Sequence, residues 1–317
     1  MDSSAKEGTE YGTQKIIIDC DPGVDDAIAI MLALSASEEL DLLGITTVAG
    51  NVALEHTTRN ALGICNLVGR SDVGVYAGCS RPLMRMTGHR SIMHGSEGLG
   101  GVVLSTSEKP RDAHAVDFII DSVMANPGEV TLCPIGPLTN VAMAIVKEPR
   151  LSANLDQIVF MGGAAFRPGN TTPAAEFNIY VDPHAAHIVA TAGVPLVMFG
   201  LDVTSTVLAT PNRLEALRRL DNEAGRQAVA MMTAYAKGDP CLHDPCVIAW
   251  LLAPELFSGV DAFLEIDSSP GVNYGRTIAA ISDRHLADRK PNCRVITEAD
   301  CDGVFALLSS KLDMLRT

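Results

Sequence analysis

The sequence is poor in aromatic side chains and in basic side chains. Aromatic residues make up 4% of the 317 positions while hydrophobic residues as a whole make up 47%, so the core must be mainly aliphatic. Lysine and arginine number 24 against 38 aspartates and glutamates, which gives a net charge of −14 at pH 7. This acidic balance argues against a nucleic-acid partner and against an anionic membrane surface. We therefore expect the ligand to be a neutral small molecule.

Cysteine pairs typical of metal sites and apolar runs of membrane-spanning length are also missing. The eight cysteines show no C-x-x-C spacing, and most lie in apolar stretches as small hydrophobic residues. We expect no transmembrane segment and no secretory leader, and therefore a reducing, cytoplasmic location. Residues 1–13 are polar and rich in Ser, Glu and Gly. They are predicted to form a disordered tail ahead of one folded domain of residues 14–317.

What the sequence does contain is a dense acidic turn near its beginning. Residues 15–29 (KIIIDCDPGVDDAIA) predict a short apolar strand, a Pro-Gly turn and an apolar helix. Four aspartates fall within eight residues of this turn: Asp19, Asp21, Asp25 and Asp26. Carboxylates this close repel one another unless water, hydrogen-bond donors or a hard cation such as Ca²⁺ compensates them. The alternative is a solvated acidic turn that favours the N-terminus of the helix.

Predicted strands alternate with predicted helices along the rest of the chain. This order is typical of a single α/β domain with an open, mostly parallel sheet, a Rossmann-like core and helices on both faces. Polar or glycine-rich turns follow several predicted strands, at residues 19–26, 50–51, 136, 162–163 and 202. Because the carboxyl ends of parallel strands share one edge, we expect these turns to form one ligand site.

Three local predictions concern the segments that border this edge. Residues 167–178 are polar and rich in Pro, Gly and Asn, which predicts a loop. Residues 196–201 are apolar and predict a strand that ends at Asp202. Residues 263–266 predict a short strand near the end of the chain.

Six short motifs, met in order along the chain, resemble those of the inosine-uridine-preferring nucleoside hydrolase family. They are residues 19–26 (DCDPGVDD), 46–51 (TTVAGN), 136–140 (GPLTN), 161–163 (MGG), 175–178 (AEFN) and 243–245 (HDP). The resemblance covers roughly residues 15–315. It implies an enzyme that uses bound Ca²⁺ to hydrolyse the N-glycosidic bond of a ribonucleoside to ribose and free base. It also implies a homodimer or homotetramer.

The resemblance assigns a metal site and a catalytic base to the acidic residues. Asp21, Asp26, Asp244 and the backbone carbonyl of Ile135 would bind Ca²⁺ through oxygen. Asp25 would stay free to take a proton from a metal-bound water. Considered without the resemblance, Asp244 is equally typical of a plain helix N-cap.

The resemblance also implies a nucleoside-binding set. The residues expected to contact the ribose or the base are Asp19, Asn51, His94, Met161, Asn170, Glu176, Phe177, Asn178 and Tyr235. Carboxylate and amide groups supply the donors and acceptors that hydroxyls need, and Met and Phe supply apolar contacts. Taken one at a time, the asparagines are just as typical of turn caps.

His243 is the candidate acid for the leaving base, because a base departs more easily once protonated and histidine titrates near neutral pH. The alternative is a histidine that only begins a helix. Two departures from the family pattern affect the base site. The Ser-Glu order at residues 96–97 is reversed, and the segment between Tyr235 and His243 is short, so that Tyr235 would have to replace a longer aromatic lid.

Two other functions remain open at the level of sequence. A haloacid-dehalogenase-like phosphatase is suggested by Asp19-x-Asp21 after the first strand, although Gly23 departs from that pattern. A Ca²⁺- and ribose-binding protein without catalytic activity would share the metal and ribose residues. The preferred nucleobase is not indicated.

Overall fold

The computed structural model describes residues 13–86, 93–286 and 288–315. Its strands form one nine-stranded sheet in the order β3-β2-β1-β4-β5-β6-β9-β7-β8. The strands are β1 (Gln14–Cys20), β2 (Leu40–Thr47), β3 (Val75–Ala77), β4 (Val130–Pro134), β5 (Leu155–Met161), β6 (Leu196–Phe199), β7 (Phe257–Asp267), β8 (Arg276–Ala280) and β9 (Cys293–Ala299). β1 to β6 and β9 pair in parallel, whereas β7 pairs antiparallel with β8 and β9. The predicted mixed α/β class with a mostly parallel sheet is confirmed.

Helices connect the strands and flank the sheet. In the described residues they are α1 (Val24–Ser35), α2 (Leu54–Leu67), α3 (Ala115–Ala125), α4 (Thr139–Lys147), α5 (Leu151–Asn154), α6 (Phe177–Val181), α7 (Pro183–Ala190), α8 (Leu201–Thr204), α9 (Pro211–Arg218), α10 (Glu223–Tyr235), α11 (Pro245–Leu252), α12 (Asp283–Leu286) and α13 (Cys301–Asp313), with a 3₁₀ turn at Pro254–Leu256. Residues 1–12 of the predicted tail lie outside the described part of the chain, and so do residues 88–92, which precede His94.

The strand β1 is the centre of the sheet, between β2 and β4. Its three isoleucines are fully buried, with Ile16 and Ile18 in one hydrophobic core and Ile17 in the other. This alternation places a core on each face of the sheet. Every residue of α1 is buried as well. The acidic turn is therefore held between the buried end of β1 and a fully buried α1.

Three local predictions were right in type but wrong in their boundaries. The predicted loop 167–178 ends in a helix, because the Glu176 carboxylate caps α6 by accepting the N–H groups of Asn178 and Ile179. The predicted strand 196–201 stops at Phe199, and α8 begins directly after Gly200. The predicted strand 263–266 is part of the much longer β7. The first half of β7 contains exposed residues and lacks an apolar strand pattern, so the sequence did not predict it. It forms because β9 supplies its backbone hydrogen bonds.

All eight cysteines carry free thiols. Within the described ranges, the helices are too short or too polar to cross a bilayer.

Candidate active site

The acidic turn begins at Asp19, the penultimate residue of β1. One oxygen of the Asp19 carboxylate, Oδ1, accepts hydrogen bonds from the Thr46 hydroxyl at 2.6 Å and from the Asn140 amide at 2.7 Å. Oδ2 is buried and has no hydrogen-bond partner among the described residues. Burial raises the pKa of Asp19 to about 7, although the two hydrogen bonds oppose the rise. Asp19 therefore lies beneath the turn as an inner acceptor.

Asp26 holds the turn together from the first turn of α1. Its Oδ2 accepts the N–H of Gly23 at 2.8 Å, and its Oδ1 accepts the N–H of Asp21 at 3.1 Å. The side chain thereby returns to the backbone that precedes the helix, as acidic residues near helix N-termini commonly do. Burial, with the charge of Asp25 as the next cause, raises the pKa of Asp26 to about 7.

Three carboxylates meet beside this turn. Ligand oxygens of Asp25, Asp26 and Asp244 lie within 4.8 Å of one another, and all three residues are buried. Asp244 stands at the start of α11, but its side chain makes no capping hydrogen bond. The plain N-cap alternative for its side chain is therefore excluded. Burial and the charges of Asp25 and Asp26 raise the pKa of Asp244 well above its usual value.

Asp21 lies next to this group of three but is not part of it. Its Oδ2 accepts the N–H of Asn51 at 2.5 Å, and its Oδ1 is buried without a partner in the described part of the chain. A Cβ atom added at Gly50 or Gly136 would collide with the Asp21 carboxylate. Two glycines from neighbouring turns thus make room for this side chain.

The donor set fits a hard cation. It consists of buried carboxylate oxygens, of which Asp21 Oδ1 has no hydrogen-bond partner among the described residues, and of the Ile135 carbonyl next to Gly136, which packs on Asp21. Oxygen ligands of this kind suit Ca²⁺ or Mg²⁺, and a bound cation would offset the mutual repulsion of the carboxylates. The Ile135 carbonyl already accepts the Asn178 amide at 2.9 Å. The full predicted ligand set of Asp21, Asp26, Asp244 and Ile135 remains a prediction.

A cavity of about 380 Å³ opens beside the carboxylates. Its volume falls in the range of small-molecule sites. Most of the predicted site residues line it: Asp25, Asn51, His94, Ile135, Met161, Asn170, Glu176, Phe177, Asn178, Tyr235, His243 and Asp244. Asp19, Asp21 and Asp26 lie outside its lining, beneath the floor. Residues that the sequence did not indicate also line it, namely Met93, Thr171, Gly238 and Asp239.

One wall of the cavity is formed by Glu176 and the start of α6. The Glu176 carboxylate accepts the N–H groups of Gly163 at 2.9 Å, Asn178 at 2.9 Å and Ile179 at 3.2 Å. Burial raises the pKa of Glu176, and these backbone bonds oppose the rise. The exposed Asn170 accepts the N–H of Phe177 at 3.0 Å. This wall presents fixed polar groups, which is what recognition of sugar hydroxyls requires.

The opposite wall carries two stacked rings. The imidazole of His94 lies 4.8 Å from the ring of Tyr235, at an interplanar angle of 21°. His94 Nδ1 accepts the N–H of Val24 at 3.0 Å and lies 3.9 Å from Asp25 Oδ1. Burial lowers the pKa of His94, although the charge of Asp25 opposes this. A flat aromatic wall of this kind suits a nucleobase.

His243 stands between the core and the cavity. Its Nδ1 lies 2.7 Å from the Thr204 hydroxyl, and its Nε2 lies 3.2 Å from Asp239 Oδ2. Burial lowers the pKa of His243, but the hydrogen bond to Asp239 and the charge of Asp25 outweigh it, so that the pKa lies above its usual value. Asp239 was missed in the sequence. Its position four residues before His243, in a segment too short for a separate lid, was the available signal.

The chain is similar over most of its length to known proteins. A family model described as inosine-uridine preferring nucleoside hydrolase matches residues 16–306. An uncharacterised protein of Schizosaccharomyces pombe is 46% identical over 275 residues, covering 83% of this chain and 88% of that protein. A pyrimidine-specific ribonucleoside hydrolase, RihA, of Photobacterium profundum is 41% identical, covering 95% of this chain and 99% of that one. A solved structure of a purine-preferring ribonucleoside hydrolase from Gardnerella vaginalis superimposes with a TM-score of 0.89 at 35% identity, covering 95% of this chain and 99% of that one.

The fold and the match over most of the chain define an N-glycosyl hydrolase. The chain belongs to the inosine-uridine preferring nucleoside hydrolase family. The resemblance seen in the six sequence motifs is thereby confirmed. The phosphatase alternative does not fit, because Asp19 is fully buried beneath the cavity rather than presented to it.

Proposed function

We propose that this protein hydrolyses the N-glycosidic bond of ribonucleosides to ribose and free base in a Ca²⁺-dependent reaction. One observation carries the proposal: the buried carboxylates of Asp25, Asp26 and Asp244 lie close together beside a cavity of small-molecule size. The relatives named for pyrimidine and for purine nucleosides are similarly close, so the proposal extends to the reaction and not to one preferred base.

The residues that would hold Ca²⁺ are Asp21, Asp26, Asp244 and the carbonyl of Ile135. When bound there, the ion would offset the charge of the buried carboxylates and lower the pKa of water near it. Support comes from the unpartnered oxygen of Asp21 and from the glycines that leave space around it. Calcium rather than magnesium is proposed from the family resemblance.

Asp25 is proposed as the general base. Asp21 and Asp26 are engaged with backbone N–H groups beneath the cavity, whereas Asp25 lines the cavity itself. Asp25 would accept a proton from the attacking water while the oxygen of that water forms a bond to the anomeric carbon. The bond from that carbon to the base nitrogen breaks through an oxocarbenium-like state, which the anionic floor stabilises electrostatically.

His243 is proposed as the acid that protonates the leaving base, so that the base departs neutral. The ribose would be held by Asn51, Glu176, Asn178 and Asn170, with Met161 and Phe177 as apolar contacts. His94 and Tyr235 would face the base. We further propose residues 14–317 as the catalytic unit, a cytoplasmic location and a homo-oligomer, each on the family resemblance and on composition.

The proposal is tested with a panel of inosine, uridine, cytidine, adenosine and guanosine, assayed for reducing sugar with and without a chelator. We expect ribose release from at least one nucleoside, loss of activity on chelation and recovery on addition of Ca²⁺. Ribose binding without base release from any member of the panel would instead indicate a ribose-binding protein without catalytic activity. Unchanged activity after chelation would exclude the metal role.

A further inference from the structure

We propose that Asp239, together with Thr204, fixes the His243 imidazole with its Nε2 edge facing the leaving base. Asp239 is thus a positioning residue for leaving-group protonation. This inference rests on the proposed function of the same site. It concerns a residue that the sequence motifs did not indicate, in the short segment between α10 and α11.

The two nitrogens of His243 face different surroundings. Thr204 is fully buried and lies 2.7 Å from Nδ1, on the core side of the ring. Asp239 lines the cavity and lies 3.2 Å from Nε2. The nitrogen directed toward the cavity is therefore Nε2. Because both nitrogens are engaged, the ring is held against rotation about its side-chain bonds.

The Asp239 side chain is itself held in place. Its other oxygen, Oδ1, accepts the N–H of Cys241 at 3.0 Å. The segment that follows is held by backbone bonds to the stretch just after α8, from Ala209 N–H to the Pro240 carbonyl at 2.7 Å and from Leu242 N–H to the Val207 carbonyl at 2.9 Å. The carboxylate therefore has a fixed origin from which to orient the imidazole.

The contact between Asp239 and Nε2 leaves room for a second acceptor. At 3.2 Å it is at the long end of N–H···O hydrogen bonds, so the Nε2 proton can be shared with a base nitrogen in the cavity. In the reaction that proton passes to the base nitrogen, and the electrons of the glycosidic bond remain on the base. Asp239 stays ionised throughout, and the neutral imidazole keeps its Nδ1–H on Thr204.

The test compares two leaving groups in the calcium-loaded protein. Nucleosides need a proton on the departing base, whereas 4-nitrophenyl β-ribofuranoside releases a stable nitrophenolate without one. For Asp239→Asn we expect kcat on uridine or inosine to fall about 10- to 100-fold, within the range of general acid catalysis. We expect kcat on the nitrophenyl riboside to change less than about threefold, and Thr204→Val to give the same selectivity with a smaller loss.

The control is Asp221→Asn, which removes a carboxylate from a fully exposed position and should leave both rates unchanged. Equal losses on both substrates for Asp239→Asn would overturn the proposal, and so would an unchanged nucleoside rate. Retained cleavage of the nitrophenyl riboside reports that the variant folds and binds ribose. If the wild-type protein cleaved neither substrate, the proposed function itself would fail, which is a result distinct from any effect of Asp239.

Discussion

Two buried acidic regions of the site differ in how their carboxylates are compensated. Both oxygens of Glu176 accept backbone N–H groups, three in all, from elements that surround it. In the floor, Asp25, Asp26 and Asp244 meet with more carboxylate oxygens than donors, and one oxygen of the adjacent Asp21 has no partner in the described residues. The first region is complete when the chain folds. In the second, a bound cation would supply the compensation, because buried carboxylates that repel one another stay ionised only when something compensates them.

The difference separates two functions of acidic residues, recognition of the sugar and binding of a cation, which the amino-acid composition alone does not distinguish. A carboxylate satisfied by backbone donors is rigid and neutralised locally, which suits recognition of sugar hydroxyls. A carboxylate cluster with fewer donors than oxygens suits binding of a cation and stabilisation of positive charge on the sugar. Substitutions in the two regions should therefore respond differently to calcium.

The largest effect is expected at Asp25. Asp25→Asn removes the proposed base while keeping the shape of the side chain, so kcat should fall about 10²- to 10⁴-fold. Ribose release measures the rate, and calorimetric titration measures calcium binding, which should persist because Asp25 is not among the proposed ligands. Glu223→Gln, at the half-exposed start of α10 and outside the cavity lining, serves as the control. Retained turnover in Asp25→Asn would exclude this residue as the base.

The next effect concerns the space around Asp21. Gly136→Ala places a methyl group against the Asp21 carboxylate. The added Cβ would also lie only 3.0 Å from the backbone nitrogen of Asp21. In the wild type, calcium at 100 times its Kd should raise the free energy of unfolding by about 2.7 kcal/mol. Gly136→Ala should lose most of this increase, measured by thermal unfolding with calcium and with chelator.

The control for Gly136 is a glycine with open surroundings. Gly128 has a φ of +77° and no atom near an added Cβ. Gly128→Ala should lower stability through backbone strain by about 1 kcal/mol and leave the calcium-dependent increase intact. If Gly136→Ala kept the full increase, the Asp21 carboxylate would not be a ligand.

Most of the fold and much of the site could be predicted from the sequence. The continuous apolar run Ile16–Ile18 ahead of the acidic turn predicts a buried central strand, since such strands are apolar on both faces. Motifs scattered from residue 19 to residue 245 meet at one edge because parallel strands bring their carboxyl ends together. The order of the strands and their parallel pairing were therefore enough to predict most residues of the cavity.

The features that were missed depend on tertiary contacts. The start of α6 falls inside the predicted loop, because the Glu176 carboxylate caps the helix and also accepts the N–H of Gly163. Asp239 lies in a short polar segment, and backbone bonds from that segment to Val207 and Ala209, after α8, hold it beside His243. Local propensity contains neither contact.

A third prediction tests the compensated region directly. Glu176→Gln replaces an oxygen that accepts N–H groups by an amide that donates, which leaves buried donors of Gly163 or of α6 unpaired. Unfolding should become easier by about 1–3 kcal/mol. The same loss is expected with calcium and with chelator, because no proposed metal ligand changes. Urea unfolding in both conditions measures it.

The matched control is Asp300→Asn, at the N-cap of α13, where the carboxylate accepts the N–H of Gly303 at 3.0 Å on the exposed surface. Asparagine caps helices about as well as aspartate, so this loss should be smaller than for Glu176→Gln. A Glu176→Gln loss that appeared only with calcium would place Glu176 in the metal region and remove the distinction between the two regions.

The smallest effect is expected at Asn170, on the exposed edge of the compensated region. Its side-chain oxygen accepts the N–H of Phe177 at 3.0 Å, so Asn170→Ala loosens the loop over the ribose wall without opening a buried gap. Stability should change by about 0.5 kcal/mol or less, as for most exposed substitutions. KM for the preferred nucleoside should rise a few-fold at constant kcat, because the proposed contact is with the ribose in both ground and transition states. A fall in kcat at constant KM would instead place Asn170 among the groups that act only in the transition state.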